Sequence, residues 1–400
     1  MASIKESVSI LQVYNKYLGT NFSLSQVKRA NVKCPFHKDE KASARIYLDT
    51  NTLYCFSCLK HWSPVKFIQE HTGLTPEEAK REACEIGGIE YRPAAPMTED
   101  EQIYYDVYKY VAGLFNFIDD GGYFKSRGFS NEVIRDYQLG YCPVVFDVKY
   151  STTPVTLREV LIQAFPKVPV EILDGLGLYD FKGVSRFADR YIFPIFDKYG
   201  RVVGFTGRAK EGVEPKYYNT SSEAKYFNKR QLLYNLDTAL NFPTVYVVEG
   251  PADALSLITS GIKNVVAPLG TAFTEEHLEL LKGKEIILSL DNDRAGLNTM
   301  YKLIVAKPTV RFNVLLLNGY KDFNEALIKG ADLKEIVKVS KAMSAIDFII
   351  YSYKNVCDLS ILSNRVMMAR QIDYQLKAGN YHWVEVHYYT TILERMFKRG

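Results

Sequence analysis

Two short cysteine-containing turns constrain what this chain can fold into more than any other feature. Cys34-Pro35-Phe36-His37 and Cys55-Phe56-Ser57-Cys58 each hold two metal-ligand side chains two residues apart, and seventeen residues separate the pairs. Two intervening residues let one tight turn point both side chains at a single ion, and two such turns complete a tetrahedral zinc site. The stretch between them reads as a hairpin, with SARIYL, a polar Asp49-Thr50-Asn51 turn, then TLYCF. Such a hairpin returns the second turn to the first. Four protein ligands leave no open position, so one structural Zn2+ is expected. An ion of this kind supplies about 10–16 kcal/mol of apparent binding free energy, enough to hold a small ribbon folded. His61 and Cys84 match neither pair and read as structural.

Helices should flank the ribbon. SIKESVSILQVYNKYLG has helical spacing ahead of it, and PVKFIQEHTG and TPEEAKREACEIGG follow it. Thr75 reads as an N-cap, with Pro76 at the first helical position and Glu78 closing a capping box. Lys33, Lys38, Lys41 and Arg45, interleaved with Tyr47, Tyr54, Phe56 and Trp62, would suit single-stranded nucleic acid. The competing reading makes the aromatics ribbon core and the lysines a solvated face. Residues 92–102, with prolines and an acidic run, read as a linker.

The second constraint lies beyond Thr244. TVYVV ends in Glu249-Gly250-Pro251-Ala252-Asp253 before a helical ALSLITSG, and EIILSL ends in Asp291-Asn292-Asp293-Arg294-Ala295-Gly296 before another helical segment. GIKNVVAPLGTAFTEEHLELL, between them, reads as strand, glycine turn and helix. Strands alternating with helices at this spacing predict a parallel sheet covered by helices. In such sheets functional groups gather beyond the carboxyl ends of the strands. Glu249, Asp291 and Asp293 would meet there, and FNVLLL leading into NGYKDFNEAL adds Asp322 and Glu325. Carboxylates crowded at one edge repel unless a cation is present, and hard oxygen donors suit Mg2+ or Mn2+. The competing reading makes each of them only a turn former or helix cap.

Composition excludes several classes. With 400 residues, 47% hydrophobic and 24% charged, the chain is an ordinary globular mixture rather than a disordered one. Its length sets about two to four domains. No apolar run approaches the ~20 residues of a membrane span, and the amphipathic N-terminus lacks a signal-peptide core. A cytoplasmic protein with no membrane partner is expected, and the six cysteines are not expected to pair as disulfides. The net charge of +4 hides an asymmetry. From Lys182 to Arg230 eleven Lys or Arg face five Asp or Glu, a net of +6, whereas Thr244 to Gly330 carries nine against ten. A basic surface beside an acidic metal centre suits an enzyme that holds a polyanion and acts on phosphates.

At this point the sequence resembles the DnaG-type primases of bacteria and phages. The C-x2-H…C-x2-C ribbon looks like their zinc domain, and the E-G…D-x-D pattern like their Toprim catalytic fold. YFKSRGFSNEVIRDYQLGYCP (123–143) is similar to the segment opening the family's polymerase core. The stretch from Asp189 to Leu236 is similar to its basic, strand-rich section. The resemblance implies a multidomain α/β and α+β fold. Its parts are a zinc ribbon (1–91), a linker (92–102), an N-terminal basic subdomain of the core (103–242), a Toprim subdomain (243–332) and a helical subdomain (333–400). It implies Glu249 as the catalytic carboxylate, Asp291 and Asp293 as ligands of Mg2+ or Mn2+, and Asp253 and Asp322 as supporting acids. It also implies that Arg127, Arg208, Lys216 and Lys229 hold template or nucleotide phosphates. The family's third acidic motif often reads D-P-D-E; here it is Asp322-Phe323-Asn324-Glu325, and the neutral Asn324 leans towards phage primases and leaves the number of catalytic metals open.

The implied activity is synthesis of short RNA primers from ribonucleoside triphosphates on single-stranded DNA. A replicative helicase and a single-strand-binding protein are the implied partners. No separate helicase-binding domain is expected past the helical segment, and no G-x-x-x-x-G-K-[ST] loop announces a fused helicase. Two rivals share the residues: a Toprim nuclease or topoisomerase, and a catalytically silent zinc-dependent DNA-binding protein.

Overall fold

The structure is a computed structural model that describes residues 8–23, 29–48, 51–91, 97–118, 120–147, 153–221, 224, 226–270, 273–379 and 381–398. The start of the N-terminal helical segment, part of the 49–51 turn and residues 92–96 of the expected linker lie outside them. Two compact units divide the chain, one built on Met1–Gln102 and the other on Ile103–Phe196 with Val202–Gly400. Among the described residues no helix is long and apolar enough to cross a membrane.

The first unit is a four-stranded antiparallel sheet, β1 (Arg29–Val32), β2 (Ala44–Tyr47), β3 (Thr52–Cys55) and β4 (Lys60–Trp62), in that spatial order. The hairpin read from the sequence is β2–β3, with Ala44 opposite Cys55 and Tyr47 opposite Thr52. Helices Ile10–Leu18, Pro64–Thr72 and Pro76–Gly87 surround it. Thr75 and Glu78 form the reciprocal capping box, with Pro76 in the first turn. Val13, Ile46, Leu53, Trp62, Phe67 and Ile68 are fully buried in the unit's core. Trp62 therefore falls on the core side of the two readings: it stacks on Phe36 at 4.3 Å, and its Nε1–H donates to Glu70 Oε2 at 2.6 Å. Phe56 stays on the outer face, half exposed, with the Arg45 guanidinium 5.5 Å from its ring.

The acidic run read as the end of the linker is instead the first turn of helix Glu99–Phe117. Thr98 Oγ1 accepts from the Glu101 N–H at 3.3 Å, and Glu101 Oε2 accepts from the Thr98 N–H at 2.8 Å. Acidic side chains at a helix start satisfy free N–H groups and complement the dipole, which is why this run is helical.

The second unit contains two sheets. The antiparallel one runs β5 (Gly140–Cys142), β6 (Arg190–Phe196), β7 (Val202–Ala209) and β8 (Tyr217–Asn219), again in chain order. The other comprises β9 (Thr244–Val247), β10 (Val265–Val266), β11 (Glu285–Leu288), β12 (Phe312–Val314) and β13 (Met343–Ser344). Its spatial order is β10-β9-β11-β12-β13, parallel except for the antiparallel edge strand β13. Val245, Val247, Ile286, Leu288 and Val314 pack on helices Ala345–Val356 and Leu362–Ala378 through Ile346, Phe348, Ile349 and Met368. On the other face Leu255, Ile258, Val265 and Phe323 join Phe124, Phe193 and Tyr234 in a second core. Burying each such aliphatic side chain contributes about 1.5–3 kcal/mol, so the sheet is held from both faces and its strand ends are rigid platforms.

Candidate active site and zinc centre

Cys34, His37, Cys55 and Cys58 converge, with one ligand atom from each lying within 4.8 Å of all the others. Cys34 Sγ is 3.9 Å from Cys58 Sγ, and His37 Nδ1 is 3.1 Å from Cys58 Sγ. A tetrahedron with Zn–S bonds of about 2.3 Å has S···S edges of about 3.8 Å, so donor chemistry and spacing both fit zinc. None of the six cysteines forms a disulfide, Cys84 is buried, and His61 sits exposed on β4 outside the donor set. Asp39, which the sequence reading passed over, organises the first turn. Its Oδ2 accepts from the Cys34 N–H at 2.8 Å, the Ser43 N–H at 3.1 Å and the Ser43 hydroxyl at 2.7 Å. Its Oδ1 lies 3.9 Å from His37 Nε2, the ring nitrogen turned away from Cys58. A carboxylate behind a ligating histidine fixes the ring's orientation, and an acid two residues after the metal histidine was the available signal. Burial pushes the Cys34 thiol up to about 12, so ion uptake must displace protons.

The acidic edge follows from strand order. Because β9, β11 and β12 are neighbours, the loops after their carboxyl ends lie side by side, and these carry Glu249, Asp291 with Asp293, and Asp322. Gly296 makes the second loop possible: a Cβ there would meet the Asp291 carbonyl oxygen at 2.1 Å. Two of the acids also cap helices. Asp293 Oδ1 accepts from the Ala295 and Gly296 N–H groups at 2.9 and 3.0 Å, starting helix Arg294–Ala306. Asp322 Oδ1 accepts from the Glu325 N–H at 2.6 Å, starting helix Phe323–Ile328. Capping uses one oxygen of each carboxylate and turns the other towards the edge's remaining charges.

Glu249 is exposed at its strand end, while Asp253 is buried in the first turn of helix Pro251–Thr259. Partial desolvation and then the Asp291 charge raise the Glu249 pKa, opposed by the Asp291 backbone N–H. Burial, then Asp322 and Asp291, push Asp253 up to about 7. Desolvation also raises Asp291, against the pull of Lys321. Mutual elevation of this kind marks carboxylates whose charge is not fully compensated, and oxygen-only donors at a strand-end edge fit a hard divalent cation. Among the described residues, no three carboxylates of this edge gather within 4.8 Å as the Cys/His quartet does. The Lys321 ammonium, absent from the sequence reading although it adjoins Asp322, lies 3.0 Å from Asp291 Oδ2 and 3.9 Å from Asp293 Oδ2.

Asn324 is a brace. It is 1% exposed, and its Nδ2 donates to the Arg127 carbonyl at 3.0 Å and to Ser256 Oγ at 2.9 Å. Its backbone N–H donates to Asp253 Oδ1 at 3.3 Å. Arg127 is thereby seated against the acidic edge. Arg208, on β7, donates through Nη1 to the Tyr217 hydroxyl at 3.1 Å, and its guanidinium lies 5.9 Å from the Tyr123 ring. Lys216 is exposed with its ammonium 5.9 Å from the Tyr217 ring. Desolvation raises the Tyr217 pKa, Arg208 opposes it and Asp253 adds to it, so this tyrosine senses both the basic strip and the acidic edge. Lys229 opens a short 3-10 turn whose carbonyl accepts from His277 Nε2 at 2.9 Å. His277 Nδ1 accepts from the Thr274 N–H, which makes the ring neutral with its proton on Nε2.

A closed Cys3His ribbon, together with a parallel sheet whose adjacent strand ends collect carboxylates beside a basic sheet, defines the class of zinc-ribbon proteins with a Toprim-type core. Family comparison agrees segment by segment. Residues 1–99 match the CHC2 zinc finger, 119–240 the N-terminal domain of the DNA primase catalytic core, and 246–327 a Toprim-like domain. The DNA primase of Thermotoga maritima is 32% identical over 359 residues, 85% of this chain and 61% of that protein. That of Borreliella burgdorferi is 30% identical over 404 residues, 93% and 72% respectively. The crystal structure of the zinc-binding and RNA polymerase domains of Aquifex aeolicus primase is 25% identical, with a TM-score of 0.59 over 99% of this chain and 96% of that one. The chain belongs to the DnaG-type DNA primase family. It spans about three fifths of the length of the Thermotoga relative, and the relatives named here are bacterial.

Proposed function

We propose that this chain is a DNA primase, making short RNA primers from ribonucleoside triphosphates on single-stranded DNA for replication. The observation that carries the reading is the side-by-side placement of the Glu249, Asp291–Asp293 and Asp322 loops, with Arg127 seated against them through Asn324. Glu249, Asp291 and Asp293 would hold Mg2+ or Mn2+, with Asp253 and Asp322 in support. The bound cation supplies positive charge to the triphosphate and to the attacking hydroxyl. Arg208, Lys216 and Lys229 neutralise triphosphate oxygens and Arg127 holds template phosphates. A primer 3′-hydroxyl loses its proton and attacks the α-phosphorus, and pyrophosphate departs. The zinc ribbon, with Arg45, Tyr54 and Phe56 on its outer face, contacts the template at the start site. A replicative helicase and a single-strand-binding protein are the partners expected of such an enzyme, working in the cytoplasm, that of a bacterial host if the Asp322-Phe323-Asn324-Glu325 variant reflects a phage source.

The test is primer synthesis on a single-stranded template library with ribonucleotides and Mg2+. Glu249→Gln should keep the wild-type circular dichroism spectrum and lose synthesis. Full synthesis by this variant, or nicked template in place of primers from the wild type, would overturn the reading.

A further inference from the structure

We propose that Lys321 is a tethered counter-ion of the acidic edge, competing with a divalent cation for Asp291 and Asp293. The inference rests on the reading of those two carboxylates as cation ligands and concerns how this chain tunes that site.

The placement of Lys321 is built in. Its carbonyl accepts from the N–H of Asn292, the residue between the two aspartates, at 2.7 Å. Asn292 Nδ2 reaches the same loop at the Leu317 carbonyl, 2.6 Å away. The Lys321 N–H donates to Glu325 Oε2 at 2.6 Å. Two of these bonds lace the loop after β12 onto the loop after β11, and the third fixes Lys321 against the start of the following helix, whatever the lysine side chain does. From that anchor the ammonium makes its ion pairs with Asp291 Oδ2 and Asp293 Oδ2. These are the oxygens left over: Asp293 spends Oδ1 on its helix cap. The side chain is 55% exposed, so nothing prevents it from swinging out when a cation arrives.

Charge explains why the device suits this chain. Five carboxylates, Glu249, Asp253, Asp291, Asp293 and Asp322, share one edge, and the position that would make a sixth is the neutral Asn324. A lysine on a short tether keeps the edge tolerable without an ion, and it must be displaced or repelled before one binds. A unit charge about 4 Å from a divalent ion alters its affinity by about thirtyfold at the dielectric of water, which physiological salt screens to about tenfold.

The experiment is Mn2+ titration of the zinc-loaded full chain, read by the loss of the free-ion electron paramagnetic resonance signal. Wild type, Lys321→Met, Lys321→Gln, Lys321→Arg and Asp291→Asn are compared, each checked for wild-type thermal melting. The expected result is Mn2+ binding about tenfold tighter in Lys321→Met or, should that variant misfold, in Lys321→Gln, with Lys321→Arg close to wild type. Unchanged or weaker binding in the neutral variants overturns the inference, as does equal tightening in Lys321→Arg, which would exclude charge as the cause. Asp291→Asn separates the two layers. If it loses Mn2+ while the neutral lysine variants do not gain, the counter-ion role fails and the cation reading survives. If it binds like wild type, the cation reading itself fails, and the inference with it.

Discussion

Replacing Asn324 by Asp restores the carboxylate common at this position in the family, and here it should destabilise the core. Asn324 Nδ2 points at two acceptors: the Arg127 carbonyl at 3.0 Å, and Ser256 Oγ at 2.9 Å, whose own proton goes to the Ala252 carbonyl. A carboxylate oxygen in place of that NH2 faces two lone pairs with no proton between them. It also places a charge at a site 1% exposed, next to Asp253, which is already pushed up to about 7. Leaving a buried acceptor unpaired costs about 1–3 kcal/mol, and an uncompensated buried charge about 3–5 kcal/mol. The two overlap, so Asn324→Asp should lose about 3–5 kcal/mol at pH 8 without divalent cations. The sign with pH is fixed by linkage. The new carboxyl has a folded pKa above its unfolded value of about 3.9, so its penalty is absent below that value and grows as pH rises through the folded one. Urea unfolding of the zinc-loaded protein, followed by circular dichroism at pH 8 and pH 5, should show the gap from wild type narrowing at pH 5. A variant as stable as wild type at pH 8 would refute the brace.

Three further outcomes follow from the geometry. Stripping zinc with a chelator, or Cys58→Ser, should remove about 10–16 kcal/mol of apparent binding free energy from the ribbon; hydrogen exchange should rise across β1–β4 while the strands of the second unit keep their protection. His277 is fully buried, and its pKa is lowered by desolvation against the opposing bond to Lys229. Its stabilising effect is therefore present above the ordinary histidine range and lost as pH falls through it, and a flat stability profile between pH 7.5 and 5.5 in wild type relative to His277→Gln would contradict this. Gly296→Ala would drive a Cβ into the Asp291 carbonyl, costing about 1–3 kcal/mol; calorimetric melting measures the loss, and Mn2+ binding should weaken with it.

Local chemistry made much of this protein readable in one dimension. The Cys34–His37 and Cys55–Cys58 turns declare a shared ion because ligand spacing is a property of a few adjacent residues. Thr75-Pro76 with Glu78 declares its helix start for the same reason, and strand–helix alternation past Thr244 declares a parallel sheet. The three-residue β4 and two-residue β13 carry too little pattern to announce themselves, and the 99–101 run looked like linker because acidic residues serve a helix N-terminus as readily as a loop. Which strands are neighbours is a long-range matter: the order β10-β9-β11-β12 puts three acidic loops side by side, and no local periodicity encodes it. The same holds for Trp62, whose burial depends on Phe36 and Glu70, and for Lys321 and Asn324. Sequence alone determined the elements, the zinc quartet and the candidate acids, because these rest on near-neighbour geometry. Tertiary structure decided which charges face one another, because a counter-ion or a brace exists only where two distant loops pack together.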